Sequence, residues 1–247
     1  MKVSFIIPAF NCAAWLPHAV KSCQDQVYKD IEIVIIDDCS TDTTEQYINW
    51  LLKHGDKRIV YQRNGKNMGR SYSRNLGNKI STGEIICILD SDDLAISDRA
   101  DWTVKKLKNC QVCYGSAITM DAIGVKMGEI IAGPLDIENM TKPMTNWKEN
   151  LEKGKIELRE NKIVHSTMGF LREIALKYPY VEGKVADLGI DDWQQQISMI
   201  RDGVKFDYIP DVICAYRVHI SGISQTRNHL EVMKLKAQIL EEVKCSL

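Results

Sequence analysis

Apolar positions in the first hundred residues follow two spacings that alternate along the chain. Short runs rich in Val and Ile, at residues 3–7, 31–36, 58–62 and 84–89, have the length and β-branching of strands. Between them, Ala13, Leu16, Ala19, Val20 and Cys23 recur at helical spacing, as do Tyr47, Ile48, Leu51 and Leu52, so each set forms a stripe able to cover a sheet. Asp42 followed by Glu45 predicts a capping box at the start of the second helix. A third helix is predicted over 70–80, closed by Gly83. Strands alternating with amphipathic helices predict an α/β fold with a mostly parallel central sheet flanked by helices.

The run Ile85-Ile86-Cys87-Ile88-Leu89 is apolar at every position, as expected of a central strand covered on both faces. Polarity then flips. Asp90-Ser91-Asp92-Asp93 puts three carboxylates at the carboxyl end of that strand, where open α/β sheets bind their ligands. The run over 31–36 also ends in acid, Asp37-Asp38, and the sheet brings both to one edge. From about 119 to 165 the pattern weakens, and Gly124, Gly128, Gly133 and Pro134 predict turns around a hairpin or a mobile loop. Helical spacing returns at 191–201 with Trp193, Ile197 and Ile200. Strands are expected at 204–209 and 212–218, and an amphipathic helix at 229–243 carries Val232, Leu235, Ile239 and Val243.

Composition narrows the partners. Of 247 residues 45% are apolar, enough for one substantial core, and 32 basic side chains nearly cancel 33 acidic ones. Such a balance gives no global basic field to draw the protein onto nucleic acid or an anionic membrane. No run reaches the ~18 apolar residues of a membrane span, and the opening strand lacks a cleavage pattern, so a cytoplasmic protein is expected, with peripheral membrane contact as the alternative. The eight cysteines are scattered, which suits buried thiols in a reducing compartment; Cys110 and Cys113 have C-x-x-C spacing, but no second pair completes a zinc set.

The chemistry concentrates in a few places. Asp90 and Asp92, two apart in an extended segment, leave the backbone on one side and can share a magnesium or manganese ion completed by substrate phosphate, or else cap and turn the chain. Asp38 can accept from a nucleobase N–H or a ribose, or cap a helix. Arg70 and Arg74, four apart at a helix start, can hold phosphate or offset the aspartates. Asp191-Asp192 opens a helix and offers a carboxylate as general base, or caps that helix. His219 is a candidate metal or phosphate ligand, or a structural histidine.

Four segments, in this order and spacing, resemble the inverting family 2 glycosyltransferases of the GT-A fold: Ile6-Ile7-Pro8-Ala9-Phe10-Asn11, Asp37-Asp38-Cys39-Ser40-Thr41-Asp42, Asn67-x-Gly69 leading to Arg74-Asn75-x-Gly77, and Asp90-Ser91-Asp92-Asp93. The resemblance implies one domain, with a nucleotide-sugar half over 1–118, an acceptor and catalytic-base half over 119–228 and a C-terminal helix over 229–247. It implies that Pro8, Ala9, Phe10, Asn11, Asp38, Asn67, Arg70, Arg74, Asp90, Ser91 and Asp92 bind the donor. Ala9 and Phe10 would flank the base. Asp92 and His219 would hold Mn2+ or Mg2+, and the acidic pair Asp191-Asp192 would supply the base, with Asp192 in the family's base position. Tyr216-Arg217-Val218-His219 with Ser221 and Ser224 is similar to the segment that closes over the diphosphate. Cys39 stands where the family usually has glycine, and Asp191 where it has glutamate.

The implied activity is transfer of a sugar from a nucleotide-diphosphate donor, UDP being the commonest, to an acceptor hydroxyl of a glycan or lipid-linked sugar. A non-catalytic nucleotide-sugar-binding subunit is the alternative from another class. A sugar nucleotidyltransferase fits less well, because Pro8-Ala9-Phe10-Asn11 stands where that class carries a glycine-rich basic loop. Neither G-x-x-x-x-G-K-[ST] nor G-x-G-x-x-G occurs. The helix over 229–243 is assigned to core packing or a homodimer contact.

Overall fold

The computed structural model describes residues 1–135, 140, 163–220, 222 and 228–244, and the side chains of these except 229, 230 and 241–244. The predicted early strands form: β1 (Val3–Ala9), β2 (Ile31–Asp37), β3 (Ile59–Arg63) and β4 (Ile85–Ile88). They pair in parallel in the order β3-β2-β1-β4, with Ala9 level with Asp37. The helices over them are α1 (Leu16–Gln24), α2 (Thr44–His54) and α3 (Arg70–Ile80).

Beyond β4 the sheet is mixed. β5 (Leu94–Ala95), α4 (Arg99–Lys106), β6 (Val112–Met120) and β7 (Lys126–Ile130) precede a 3-10 turn at His165–Thr167 and β8 (Gly169–Leu171). Then come α5 (Arg172–Lys177), α6 (Lys184–Asp187), α7 (Asp191–Arg201), β9 (Phe206–Arg217) and α8 (His229–Lys244). β8 is antiparallel to β4 and β6, whereas β6 and β9 run parallel, extending the order through β8-β6-β9-β5 with β7 on β6. The parallel strands are joined by helical crossovers, and β6 and β7 form the expected hairpin with Gly124 in its turn, whereas Gly128 lies within β7 and Gly133 beyond it.

Several local expectations are corrected. Leu52 is 47% exposed, because Ile48 and Leu51 already fill the covered face of α2. No capping box forms: Asp42 Oδ1 accepts from Thr44 N at 2.9 Å and Oδ2 from Ala13 N at 3.2 Å, tying α2 to the end of β1 instead. Gly83 does not close α3, which ends at Ser81; a Cβ at Gly83 would collide with Ser4 Oγ and sit 2.8 Å from Lys2 O, so the glycine admits a close chain crossing. The strands expected at 204–209 and 212–218 are one strand, β9, with irregular register beside Gly115–Ala117 where Pro210 cannot donate to the ladder.

Two sheets of apolar side chains cover the two faces of the β-sheet, one beneath α1 and α2 and one beneath α3 and α5. A third cluster lies outside them. Leu188, Ile190, Trp193 and Ile197 pack against Val232, Ile239 and Leu240, so α8 covers the outer face of α7. The packing function expected of that helix is thus visible within the chain, while Val243 lies outside the described side chains.

Candidate active site

The carboxyl ends of β1, β2 and β4 lie side by side, so the acidic turns that follow them share one rim. β1 ends at Ala9, which is buried, and the chain emerges as Phe10, 45% exposed. Pro8 is half-buried and Asn11 is exposed with φ +48, a conformation asparagine tolerates better than most side chains. Asn11 Oδ1 accepts from Thr41 N at 2.8 Å and Asp42 N at 3.3 Å, and its own N–H donates to Ser40 Oγ at 3.0 Å. The two rim turns are therefore stitched together.

Asp38 is buried, and its carboxylate is already occupied by protein donors. Oδ1 accepts from Asn64 Nδ2 at 2.7 Å and Met68 N at 2.8 Å, and Oδ2 from Gly69 N at 2.7 Å. It thereby anchors the loop through Asn67, which is exposed and accepts from Gly69 N at 3.1 Å. A nucleobase donor would have to share this carboxylate. Asp37, one residue earlier and fully buried, is bonded to Arg63 and to Ser40 N, and Cys39 beside it has φ +63. That left-handed turn is the reason a glycine suits this position.

Arg70 and Arg74 of α3 offset aspartates. Arg74 is 3% exposed; Nη2 donates to Asp90 Oδ1 at 2.6 Å and Nη1 to Asp191 Oδ2 at 2.9 Å, with Tyr180 under the guanidinium at 5.4 Å. Asp191 also accepts from Arg70 and, at 2.9 Å, from Ser71 Oγ. Burial raises both carboxyls, but the arginines outweigh it and hold Asp90 and Asp191 below the ordinary aspartate value. With three donors on a fully buried carboxylate, Asp191 is a structural anchor. Asp192 is half-buried, its Oδ1 accepts only the neighbouring Trp193 N–H at 2.7 Å among the bonds described, and it lies near enough to buried His165 and Tyr180 for its charge to act on both.

Asp90 N–H donates to Ser166 Oγ at 3.0 Å, and Arg99, fully buried in α4, donates to Ile88 O at 2.6 Å, so the end of β4 is fixed from two sides. Ser91, half-buried, lies against the Cys12 thiol. Asp92 is raised by burial and by Asp90, and its Oδ2 is 2.8 Å from His219 Nε2. Asp93, wholly buried, is pushed well above the usual range by burial and by Asp92 and Asp90, and accepts from Arg217 N at 2.7 Å. Arg217 completes the seam, donating to Asp92 O at 2.8 Å and to Asp121 O and Ala122 O at 3.1 and 3.0 Å.

The donor set suits a hard divalent cation. Among the described residues no three His, Cys, Asp or Glu side chains gather into a closed cage, and magnesium or manganese needs none when phosphate completes its shell. Asp92 Oδ2 and His219 Nε2 are hydrogen-bonded at 2.8 Å, and these two side chains would hold such a cation between them and the phosphate. Ser221 and Ser224 lie outside the described residues.

Sequence reasoning missed His165, Ser166 and Tyr180. They stand in or beyond the stretch without readable periodicity, and only tertiary contact brings them here. His165 Nε2 is 3.1 Å from Tyr180 Oη, and burial, then Arg74, press its pKa down to about 4.

The model of the family described as Glycosyl transferase family 2 matches residues 4–170. An uncharacterized glycosyltransferase of Rickettsia conorii is 43% identical over 104 residues, 42% of this chain and 17% of that protein. A UDP-Glc:alpha-D-GlcNAc-diphosphoundecaprenol beta-1,3-glucosyltransferase of Escherichia coli, WfaP, is 41% identical over 107 residues, 43% of this chain and 39% of its own length. The chain therefore spans well under half of these relatives. In solved structures, S. aureus TarS in complex with UDP-GlcNAc superposes with a TM-score of 0.67 at 17% identity, covering 98% of this chain and 71% of that one. A mannosyltransferase from Pyrobaculum calidifontis in complex with GDP-Man and Mn2+ gives 0.62 at 18% identity, covering 99% and 74%. These likenesses show the GT-A fold, and the match over two thirds of the sequence places the chain in glycosyl transferase family 2.

Proposed function

We propose that the protein transfers a glycosyl group from a UDP-sugar to an acceptor hydroxyl by a single displacement with inversion. The observation that carries this reading is the arrangement of the two acidic pairs. Arg74 joins Asp90 to Asp191, and Asp191 is fully engaged by Arg70, Ser71 and Arg74, which leaves its neighbour Asp192 as the acid of that pair able to take a proton, on a helix this bridge ties to the end of β4. Asp192 takes the proton of the acceptor hydroxyl. The acceptor oxygen forms its bond to the anomeric carbon as the bond from that carbon to the phosphate oxygen breaks, and the diphosphate leaves with the electron pair. A divalent cation on Asp92 and His219 would neutralise the charge that develops on that leaving group.

Phe10, with Pro8, Ala9, Asn11 and Asp38 behind it, forms the wall for the nucleobase, and Ser91 lies between the two metal-motif aspartates. Arg70 and Arg74 act by holding the acids in place, and Asn67 belongs to the loop that Asp38 anchors. UDP is favoured by the ligand of TarS and the donor in the WfaP name, and the same name favours a lipid-linked sugar as acceptor. Manganese has a precedent in the mannosyltransferase complex. No described helix is long and apolar enough to cross a membrane, so a lipid-linked acceptor would be met at the bilayer surface.

Thermal unfolding with UDP, GDP or dTDP, each with and without manganese, tests the reading, because a ligand that binds only the folded chain raises its stability. A manganese-dependent rise with one nucleotide, abolished by Asp92→Ala, is the expected result. No rise with any nucleotide overturns it. A rise without turnover of any donor, in a protein where Asp192→Asn changes nothing, is the outcome for a non-catalytic binding subunit.

A further inference from the structure

Trp15 has no place in the roles above, yet it touches both sides of the cation site. It precedes α1 on the turn that leaves β1, and its indole lies against the imidazole of His219, ring centroids 4.4 Å apart and planes 36° from parallel. Its indole N–H donates to Ala122 O at 3.3 Å. That same carbonyl accepts from Arg217 Nη1 at 3.0 Å, and Arg217 holds Asp92 O. The indole is therefore fixed at one end by the β6–β7 turn while its face limits the rotation of His219.

We propose that Trp15 is a positioning residue for the divalent cation: it sets the plane of the His219 imidazole so that Nε2 stays beside Asp92 Oδ2, where the two side chains would hold the ion together. This rests on the metal-diphosphate reading of the site. A histidine side chain turns about two torsions, and an ion held through few protein ligands gains most when those ligands are oriented beforehand. Half-buried Trp15 supplies that restraint from outside the ligand set. Groups that orient a metal ligand commonly change metal affinity about tenfold or more when removed.

The experiment measures Mn2+ binding to the full chain by the electron paramagnetic resonance of free Mn2+ in the presence of UDP, and UDP binding without metal by calorimetry. Wild type, Asp92→Ala, Trp15→Leu and Trp15→Phe are compared. Expected are saturable Mn2+ binding by wild type, none by Asp92→Ala, about tenfold weaker binding by Trp15→Leu, and about threefold weaker by Trp15→Phe, which keeps an aromatic face without the N–H. Metal-free UDP affinity stays at the wild-type value in both Trp15 variants. Wild-type Mn2+ affinity in Trp15→Leu overturns the inference, as does an equal loss of metal-free UDP binding. Should Trp15→Leu fail to fold by circular dichroism, wild-type affinity in Trp15→Phe overturns it. Absence of Mn2+ binding by wild type is a different failure, that of the metal-diphosphate reading itself.

Discussion

Arg74 on α3 and Asp191 at the start of α7 are bonded at 2.9 Å, and neither has appreciable exposure. The pair spans 117 residues of sequence and joins α3 to the helix that carries Asp192. Removing Asp191 leaves Arg70 and Arg74 with Asp90 as the one remaining carboxylate of their network, and breaking a buried ion pair in this way typically costs about 3–5 kcal/mol. Asp191→Ala is expected to lower the urea unfolding free energy by that amount. Asp192→Asn is expected to leave it within about 0.5 kcal/mol while reducing transfer by about 10²–10⁴-fold. Equal stability losses in the two variants would contradict the division of labour between these neighbours.

At the opposite end of the sheet, Glu32 is buried and accepts from Ser4 Oγ, Thr82 N and Thr82 Oγ1 at 2.6 Å each, with Lys2 Nζ at 2.7 Å. Burial pushes its carboxyl up, but Lys2 and the hydroxyl and amide donors prevail and bring it down to about 2. A lowered value in the folded chain stabilises above the unfolded value of 4.5 and is lost as pH falls toward 2. Glu32→Gln should cost about 1–3 kcal/mol at pH 7, and that difference should shrink when the two proteins are unfolded at successively lower pH between 5 and 2. A constant difference across that range would assign the effect to packing.

Cys39 occupies φ +63, where a side chain costs about 1–2 kcal/mol relative to glycine. Cys39→Gly is expected to raise unfolding free energy by about 1 kcal/mol, and Cys39→Val to lower it, in chemical denaturation at neutral pH. An unchanged or lowered stability in the glycine variant would mean that the thiol's contact with Arg63 Nη2, at 4.0 Å, outweighs the backbone term.

Gly77 sits in the middle of α3 facing the sheet. A Cβ there would overlap Ile6 Cγ2 and lie 3.4 Å from Ile36 Cγ1. Helix propensity alone favours alanine by about 1 kcal/mol, whereas overpacking costs about 1–3 kcal/mol. Because the clash is with a β-branched core side chain, Gly77→Ala should be net destabilising in thermal unfolding. A gain in Tm would show that α3 can lift from the sheet without penalty.

Legibility in the sequence follows locality. β1, β2 and β4 are readable because their apolar runs are continuous, α7 because Trp193, Ile197 and Ile200 recur at helical spacing, and α3 because glycines punctuate the chain on either side of it. The acidic turns after β2 and β4 could be assigned to one rim from parallel order alone. The partner of each charge is not readable: nothing in the local sequence of Arg74 says that it serves Asp90 and Asp191, since one contact arises where α3 lies beside the end of β4 and the other where α7 returns to α3 117 residues later. His165 and Tyr180 are invisible for the same reason, as is the bonding of Asp38 to Met68 and Gly69. The exposed Leu52 shows the converse error, an apolar residue one position beyond the stripe that tertiary packing uses.

The cover that α8 lays over α7 ties the late part of the chain to the rim. Leu188, Trp193 and Ile197 pack against Val232, Ile239 and Leu240, so a chain cut before residue 229 keeps both acids of the Asp191-Asp192 pair but bares the outer face of the helix that carries them. That helix, with one side packed and the other open to water, becomes the first part of the fold to loosen, ahead of the strands beneath it.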